Sequence, residues 1–264
     1  MSAGLVGTGC ILSLVIDTHC HLDACGEPTP DLISRARDAG VRRVLAIGMN
    51  SDSCRHAIAS ADEHDEVYVS VGRHPHETAG VEGPAVEELE QFASHPKVRA
   101  IGETGLDYYR DYSPREDQRL AFELQIELAQ HLHLPLVVHT RAAEADTFDL
   151  LERGASSGIP VIMHCFSLPD WVDECIVRGY YCSFAGNVTY PNAKALRGAA
   201  ERVPDELLLV ETDAPFMSPQ ENRGKPNEPA NVRLTASYLA ELRGQSFAQL
   251  ESVVESNADW IFRW

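Results

Sequence analysis

Val15-Ile-Asp-Thr-His-Cys-His21 sets two histidines, His19 and His21, directly after a short β-branched and aliphatic run, at the point where a strand would end. Working outward, the same arrangement recurs. Runs rich in valine and isoleucine at Val15 to Thr18, Arg43 to Gly48, Val67 to Val71, Val98 to Ile101, Leu136 to Val138, Val161 to Met163, Tyr181 to Phe184 and Leu207 to Val210 predict eight strands. Glu103, His139, His164 and Asp213 follow the fourth, fifth, sixth and eighth of them. Helical spacing fills the intervals, as from Gln118 to His131, where Leu120, Leu124, Leu128 and Leu132 repeat every four residues. Alternating strands and helices imply parallel strands with right-handed crossovers. Eight such units in 264 residues predict an α/β fold, a (β/α)8 TIM barrel in a single domain. Barrels of this kind collect their chemistry from the carboxyl ends of several strands, so His19, His21, Glu103, His139, His164 and Asp213 are read as the ligands of one metal centre.

Composition narrows the function by exclusion. A net charge of −18 argues against a protein that grips nucleic acid over its whole surface, because non-specific affinity comes from cations that neutralise phosphates. A local site remains open, since Arg73, Arg110, Arg141, Arg223 and Lys225 fall in or near the loops that follow the strands. Seven scattered cysteines form no CxxC pair, which predicts neither a disulfide framework nor a thiolate zinc site and fits a reducing cytoplasm. The stretch Leu5 to Ile16 contains glycines, lacks a basic region before it and is too short to span a bilayer, so neither a signal peptide nor a membrane anchor is expected. We expect residues 1–13 to be a disordered extension and residues 14–264 to form the barrel. No GxGxxG or GxxxxGK[ST] follows the first strand, which removes the usual nucleotide-binding readings. A long loop from Asp213 to Ala230, with four prolines, follows the eighth strand.

Position discriminates among the histidines. Three His-x-His pairs occur, His19/His21, His74/His76 and His131/His133, where chance supplies roughly half of one. Side chains two apart on a strand share a face, so His19 and His21 can both enter the barrel mouth. His131/His133 ends a helix and reads as a surface or helix-terminus pair. His74/His76 lies on the catalytic rim, where a contact to substrate or to bound water competes with a purely structural loop role. By the same alternation Cys20 and Cys165 should face the surrounding helices, and Glu211 should share the face of Asp213 and orient a histidine. Arg141 shares the face of His139 and is suited to clamp a phosphate, the competing reading being a salt bridge to Asp107 or another rim carboxylate. Four imidazoles and two carboxylates around two divalent cations leave a formal +2 (4 − 2), which favours an anionic substrate.

Taken in order, Asp17-Thr-His-Cys-His-Leu-Asp23, Val71-Gly-Arg-His-Pro-His76, Ile101-Gly-Glu-Thr-Gly-Leu-Asp-Tyr108, Val138-His-Thr-Arg141, His164-Cys-Phe-Ser167 and Glu211-Thr-Asp-Ala-Pro215 resemble the successive signatures of TatD-type metal-dependent deoxyribonucleases. The likeness runs on through Arg223-Gly-Lys-Pro-Asn-Glu-Pro229 to Asn257 and Phe262. It implies a barrel of the amidohydrolase superfamily type, with His19, His21 and Asp213 on one divalent ion, His139 and His164 on a second, and Glu103 bridging them. Arg73 stands where an aliphatic residue is commoner and Pro226 where a basic one is common, and the latter removes a phosphate contact.

The function expected from these observations is phosphodiester hydrolysis, in the manner of an exonuclease-type deoxyribonuclease that uses water activated by two divalent ions (Mg, Mn or Zn). Asp213 and Glu103 are the expected catalytic residues, with Arg141, His74 and Arg223 binding substrate. The partner is DNA or a short nucleotide, acted on by a cytoplasmic monomer with no membrane association and no obligate protein partner. The competing reading is hydrolysis of a C–N bond in a small amide or cyclic imide. Many barrels that do this bridge their metals with a carbamylated lysine ending the fourth strand, whereas here Glu103 takes that place and Lys97, Lys194 and Lys225 all lie elsewhere.

Overall fold

The computed structural model describes residues 14–80, 83–155 and 158–264. The expected extension at residues 1–13 lies outside the described residues. Eight strands form one parallel sheet in sequence order: β1 (Val15–Cys20), β2 (Val41–Gly48), β3 (Val67–Val71), β4 (Val98–Asp107), β5 (Leu136–Arg141), β6 (Val161–Met163), β7 (Tyr181–Phe184) and β8 (Leu208–Val210). Helices α1 (Thr29–Asp38), α2 (Ser51–Glu63), α3 (Gly83–Ala93), α4 (Arg115–Leu132), α5 (Glu144–Gly154), α6 (Val172–Arg178) and α7 (Lys194–Arg202) alternate with the strands, and α8 (Val232–Leu242) and α9 (Phe247–Phe262) follow β8. The barrel expected from the order of apolar runs is the one observed.

Two clusters show how the pleat sorts the side chains. Ile16, Leu45, Ile47, Ala100, Val137, Ile162, Tyr181 and Leu209 fill the lumen, and α9 adds Ala258, Ile261 and Phe262 to them. Their strand neighbours Val15, Val44, Ala46, Val138, Val161, Met163, Leu208 and Val210 join the layer between barrel and helices. On α4 the core-facing positions are Gln118, Ala121, Phe122, Gln125, Ile126, Leu128 and Ala129, whereas Leu120 is exposed. A four-residue repeat drifts by about 40° per step on a helix of 3.6 residues per turn, so the leucine stripe slides off the buried face.

Side chains close the seam between β8 and β1. Thr18 Oγ1 donates to the Val210 carbonyl at 3.0 Å, and Asp17 accepts from the Thr212 N–H at 2.8 Å and the Thr212 hydroxyl at 2.6 Å. A single parallel bridge, Cys20 to Ala214, completes the closure. Burial raises the Asp17 carboxyl from its ordinary 3.8 to about 8, although the Thr212 and His19 donors oppose the shift.

β4 runs six residues beyond its expected end at Ile101, as far as Asp107. Gly-Glu-Thr-Gly carries little strand propensity, yet Thr104, Gly105, Leu106 and Asp107 pair with Val138, His139, Thr140 and Arg141 of β5. The glycines permit this closeness, because a Cβ on Gly105 would stand 2.0 Å from the His139 carbonyl oxygen and one on Gly102 2.3 Å from that of Val137. The register shifts between Ile101 and Thr104, as a bulge does when it re-aims a side chain, and Glu103 lies inside that irregularity.

Candidate metal centre

At the carboxyl ends of the strands a cavity of about 560 Å³ opens over His21, His74, His76, Glu103, Asp107, His139, His164 and Asp213, with Arg110, Arg141, Cys165, Asn187, Phe216 and Met217 on its walls. The volume is that of a site for one small molecule or one end of a chain. All six residues read as ligands in the sequence converge here.

Glu103 is the hub. Its Oε2 lies 3.4 Å from His19 Nε2 and 3.6 Å from His21 Nε2, and those two nitrogens are 3.2 Å apart. Asp213 Oδ1 stands 3.5 Å from His21 Nε2 and 3.9 Å from His19 Nε2. The other carboxylate oxygen, Oε1, is 2.8 Å from His164 Nε2, 2.9 Å from His139 Nδ1 and 3.3 Å from His74 Nε2. Burial alone would raise the Glu103 carboxyl, but His164, His74 and His139 outweigh it and hold the group well below the usual carboxylate range. The groups close enough to share one ion are His19/His21/Glu103, His19/His164/Asp213 and His74/Glu103/His139.

The donor chemistry fits divalent cations. An ionised carboxylate offers only lone pairs, and Glu103 Oε2 is buried without a hydrogen-bond partner while two imidazole nitrogens face it. Such an assembly of lone pairs costs free energy unless protons or a cation fill the space between them. Imidazole with carboxylate, and no thiolate among the grouped residues, suits zinc or manganese better than a soft cation.

Carboxylates behind the histidines fix their rings. Glu211 Oε1 stands 3.2 Å from His164 Nδ1 and also accepts the Cys165 N–H at 2.7 Å. Asp107 Oδ2 lies 3.2 Å from His139 Nε2 and 2.9 Å from His76 Nε2, while its Oδ1 takes the N–H groups of Tyr109 and Arg110. His76 thus reaches His139 through Asp107, and its ring also packs edge-on against that of His74, with centres 4.3 Å apart. His74 differs from the ligand set: the His76 N–H donates to His74 Nδ1 at 3.1 Å, which leaves the ring proton on Nε2, toward Glu103. Burial lowers the His74 pKa to about 4, although Glu103 opposes the shift, so at neutral pH it presents a neutral N–H donor rather than a lone pair.

Asp107 and Glu211 change the charge balance read from the sequence. Four carboxylates, Glu103, Asp107, Glu211 and Asp213, belong to the cluster, so two divalent cations would leave 4 − 4 = 0 rather than +2. Cationic side chains on the cavity wall therefore matter more. Arg141 and Arg110 supply them, and among the described residues no carboxylate lies within 4 Å of either guanidinium, which sets aside the salt bridge to Asp107. Both stack on Tyr109, with Cζ 4.1 Å and 5.7 Å from its ring centre. Arg223 is exposed, stacks on Tyr190 at 4.1 Å and is absent from the cavity wall. Arg73 turns away toward Ser51 and Glu88.

Cys165 departs from its expected position. β6 ends at Met163 and Cys165 adopts a φ of 42°, so strand alternation has already ceased and the residue lines the cavity, with Asn187 Nδ2 3.9 Å from its sulfur. Cys20 keeps the expected place, fully buried against the helices. His131 and His133 are exposed at the end of α4, where His133 forms the left-handed cap.

Two residues that the sequence reading passed over support the rim from α4. Gln125 Oε1 accepts the Arg73 N–H at 2.8 Å while its Nε2 donates to the Arg73 carbonyl, and Gln118 grips the N–H and carbonyl of Asp107 in the same way at 2.8 and 3.3 Å. Seven residues apart, they hold the segments that carry His74 and Asp107 to one helix face. A buried glutamine at helical spacing was the available signal.

Comparison with known proteins agrees with this geometry. The profile of the family described as TatD related DNase matches residues 16–263. The uncharacterized metal-dependent hydrolase YabD of Bacillus subtilis is 35% identical over 253 residues, covering 95% of this chain and 99% of the relative. The 3'-5' ssDNA/RNA exonuclease TatD of Shigella flexneri is 32% identical over 238 residues, covering 88% of this chain and 92% of the relative. The crystal structure of YJJV, a TatD homolog from Escherichia coli K12, superposes with a TM-score of 0.87 at 28% identity and covers 96% of this chain and 100% of its own. With eight strands in barrel order, a histidine–carboxylate cluster at their carboxyl ends and relatives matched along nearly their whole length, the chain belongs to the TatD-related DNase family of metal-dependent hydrolases.

Proposed function

We propose that this protein is a deoxyribonuclease that hydrolyses phosphodiester bonds from the end of a DNA strand, using two divalent ions of the Mg, Mn or Zn kind. The observation that carries the reading is the division of labour on Glu103. One oxygen faces His19 and His21, the other His139 and His164, as a carboxylate bridging two cations would require. His19, His21 and Asp213 would hold one ion, His139 and His164 the other. When bound, such ions lower the pKa of water from about 15.7 toward about 7 and neutralise phosphate charge.

The protein's own groups do the rest. Asp213 Oδ1 accepts the proton of the attacking water. Burial raises its carboxyl, but His21, His164 and His19 outweigh that and keep it ionised and ready to do so. His74 Nε2–H and the Arg141 guanidinium hold the non-bridging phosphate oxygens, with Arg223 meeting the chain farther out on the rim. Glu211 and Asp107 fix the imidazole rings. Among the described residues no helix is long and apolar enough to cross a membrane, and the six cysteines are free. We propose that the protein acts as a monomer and degrades DNA in the cytoplasm.

Release of nucleotides from single-stranded DNA by protein reconstituted with Mg, Mn or Zn, run beside a panel of amides and cyclic imides, tests the reading. We expect nucleotide release that a chelator abolishes. Turnover of an amide with none of DNA would overturn it.

A further inference from the structure

Among the described residues eight large hydrophobic side chains are exposed; two of them, Phe216 and Met217, line this cavity, and two more, Tyr109 and Tyr112, pack against its lining residues Arg141 and His76. Phe216 and Met217 line it from the β8 side, with the Phe216 ring 5.9 Å from that of His21. Opposite, beyond β4, the Tyr112 ring is 4.7 Å from His76 and the Tyr109 ring carries Arg141 on its face. Tyr109 is 63% exposed and Phe216 50%, so neither gains the burial that normally accounts for an aromatic ring. Their backbones are nonetheless fixed. The Tyr109 N–H donates to Asp107, the Phe216 N–H to the Asp213 carbonyl, and the Phe216 carbonyl accepts from Asn227.

We propose that Phe216 and Tyr109 bind the terminal nucleobases of single-stranded nucleic acid by stacking. The inference rests on the nuclease reading and adds how the strand is held. Phosphate attraction is weak here, because the chain carries −18 and only Arg110 and Arg141 among its cations line the cavity. Stacking needs no net charge and tolerates any sequence, since every base has a π-face. It selects unpaired ends, because bases inside a duplex are already stacked and paired. Arg141 lines the cavity and lies on the Tyr109 ring, so one guanidinium serves the ring and a neighbouring phosphate together.

The test uses two internally labelled single-stranded oligonucleotides, one natural and one with base-less tetrahydrofuran units at both ends. Binding is measured by fluorescence anisotropy in chelator and nucleotide release with divalent metal, on the wild type, Phe216→Ala, Tyr109→Ala and Phe216→Trp. We expect the wild type to prefer the natural ends by about 5- to 150-fold for each stacked base. Each alanine variant should shrink that ratio toward one, and Phe216→Trp should restore it, which a loss of fold would not do. Equal wild-type binding to both strands, no binding to either, or an unchanged ratio in the alanine variants would overturn the proposal. A wild type that prefers bases yet releases no nucleotide would overturn the nuclease reading and leave base stacking standing.

Discussion

Glu211 Oε1 lies 3.2 Å from His164 Nδ1, on the side of the ring away from Glu103, whose Oε1 is 2.8 Å from His164 Nε2. A carboxylate behind an imidazole keeps the proton on the outer nitrogen and leaves the inner lone pair free, and it makes that lone pair more basic. Glu211→Gln keeps an oxygen for the Cys165 N–H but removes the charge. We expect metal affinity and nuclease rate to fall together by about 10- to 100-fold. Titration of the metal-free variant with zinc, followed by the rate at saturating metal, checks this, and unchanged affinity would mean that Glu211 merely anchors the Cys165 backbone.

Asp213→Asn separates ligand from base. The amide preserves size and one coordinating oxygen but has little affinity for a proton, and general-base effects are typically 10²- to 10⁴-fold. Turnover should drop at least about a hundredfold while much of the bound metal remains. If metal is retained and the rate falls by less than about tenfold, the proton goes elsewhere.

The barrel and the convergence of its six candidate ligands were legible because each candidate lies at or just after the apolar run of strand one, four, five, six or eight, and periodicity marks such runs well. What was hidden followed from backbone geometry. β4 continues through Gly102-Glu103-Thr104-Gly105, where two glycines and a glutamate of poor strand propensity are held by pairing to β5, so the strand seemed to end early. Cys165 follows a turn that breaks alternation and faces the cavity. The leucines of α4 concealed Gln118 and Gln125 on its buried face, and Asp107, which ties His76 to His139, stood as an ordinary acidic residue until the fold brought them together.

Asp17 gives the fold a pH dependence of known sign. Its pKa rises from 3.8 toward about 8 on folding, so the folded state keeps a proton that the unfolded chain releases. That contribution is full below pH 3.8 and is lost as pH rises through about 8. In Asp17→Asn the amide oxygen still accepts the Thr212 N–H, and nothing titrates. The melting temperature of the variant relative to wild type should therefore climb by about 5–9 °C between pH 6 and pH 8, at about 1.4 kcal/mol per pKa unit and 2–4 °C per kcal/mol. A difference that stays constant with pH would show that Asp17 is ionised throughout.

With so few cations at the cavity, binding of single-stranded DNA should depend weakly on salt. About two to four phosphate contacts correspond to a slope of log affinity against log salt between about −1.4 and −2.8. Anisotropy titrations over a range of potassium chloride measure it. A slope steeper than about −5 would require an extended basic groove, contrary to the net charge of −18.

The most direct measurement is metal content and nuclease rate on one preparation of Glu103→Ala. Both oxygens of Glu103 face imidazole nitrogens of the cluster, so its removal should disturb both ion sites at once. We expect bound divalent metal to fall from about two per chain to below about one, and nucleotide release from single-stranded DNA to be lost, while the far-ultraviolet circular dichroism of the barrel is preserved. Two metals per chain with near-normal turnover in this variant would contradict the assignment of the cluster as a bridged two-metal hydrolytic centre.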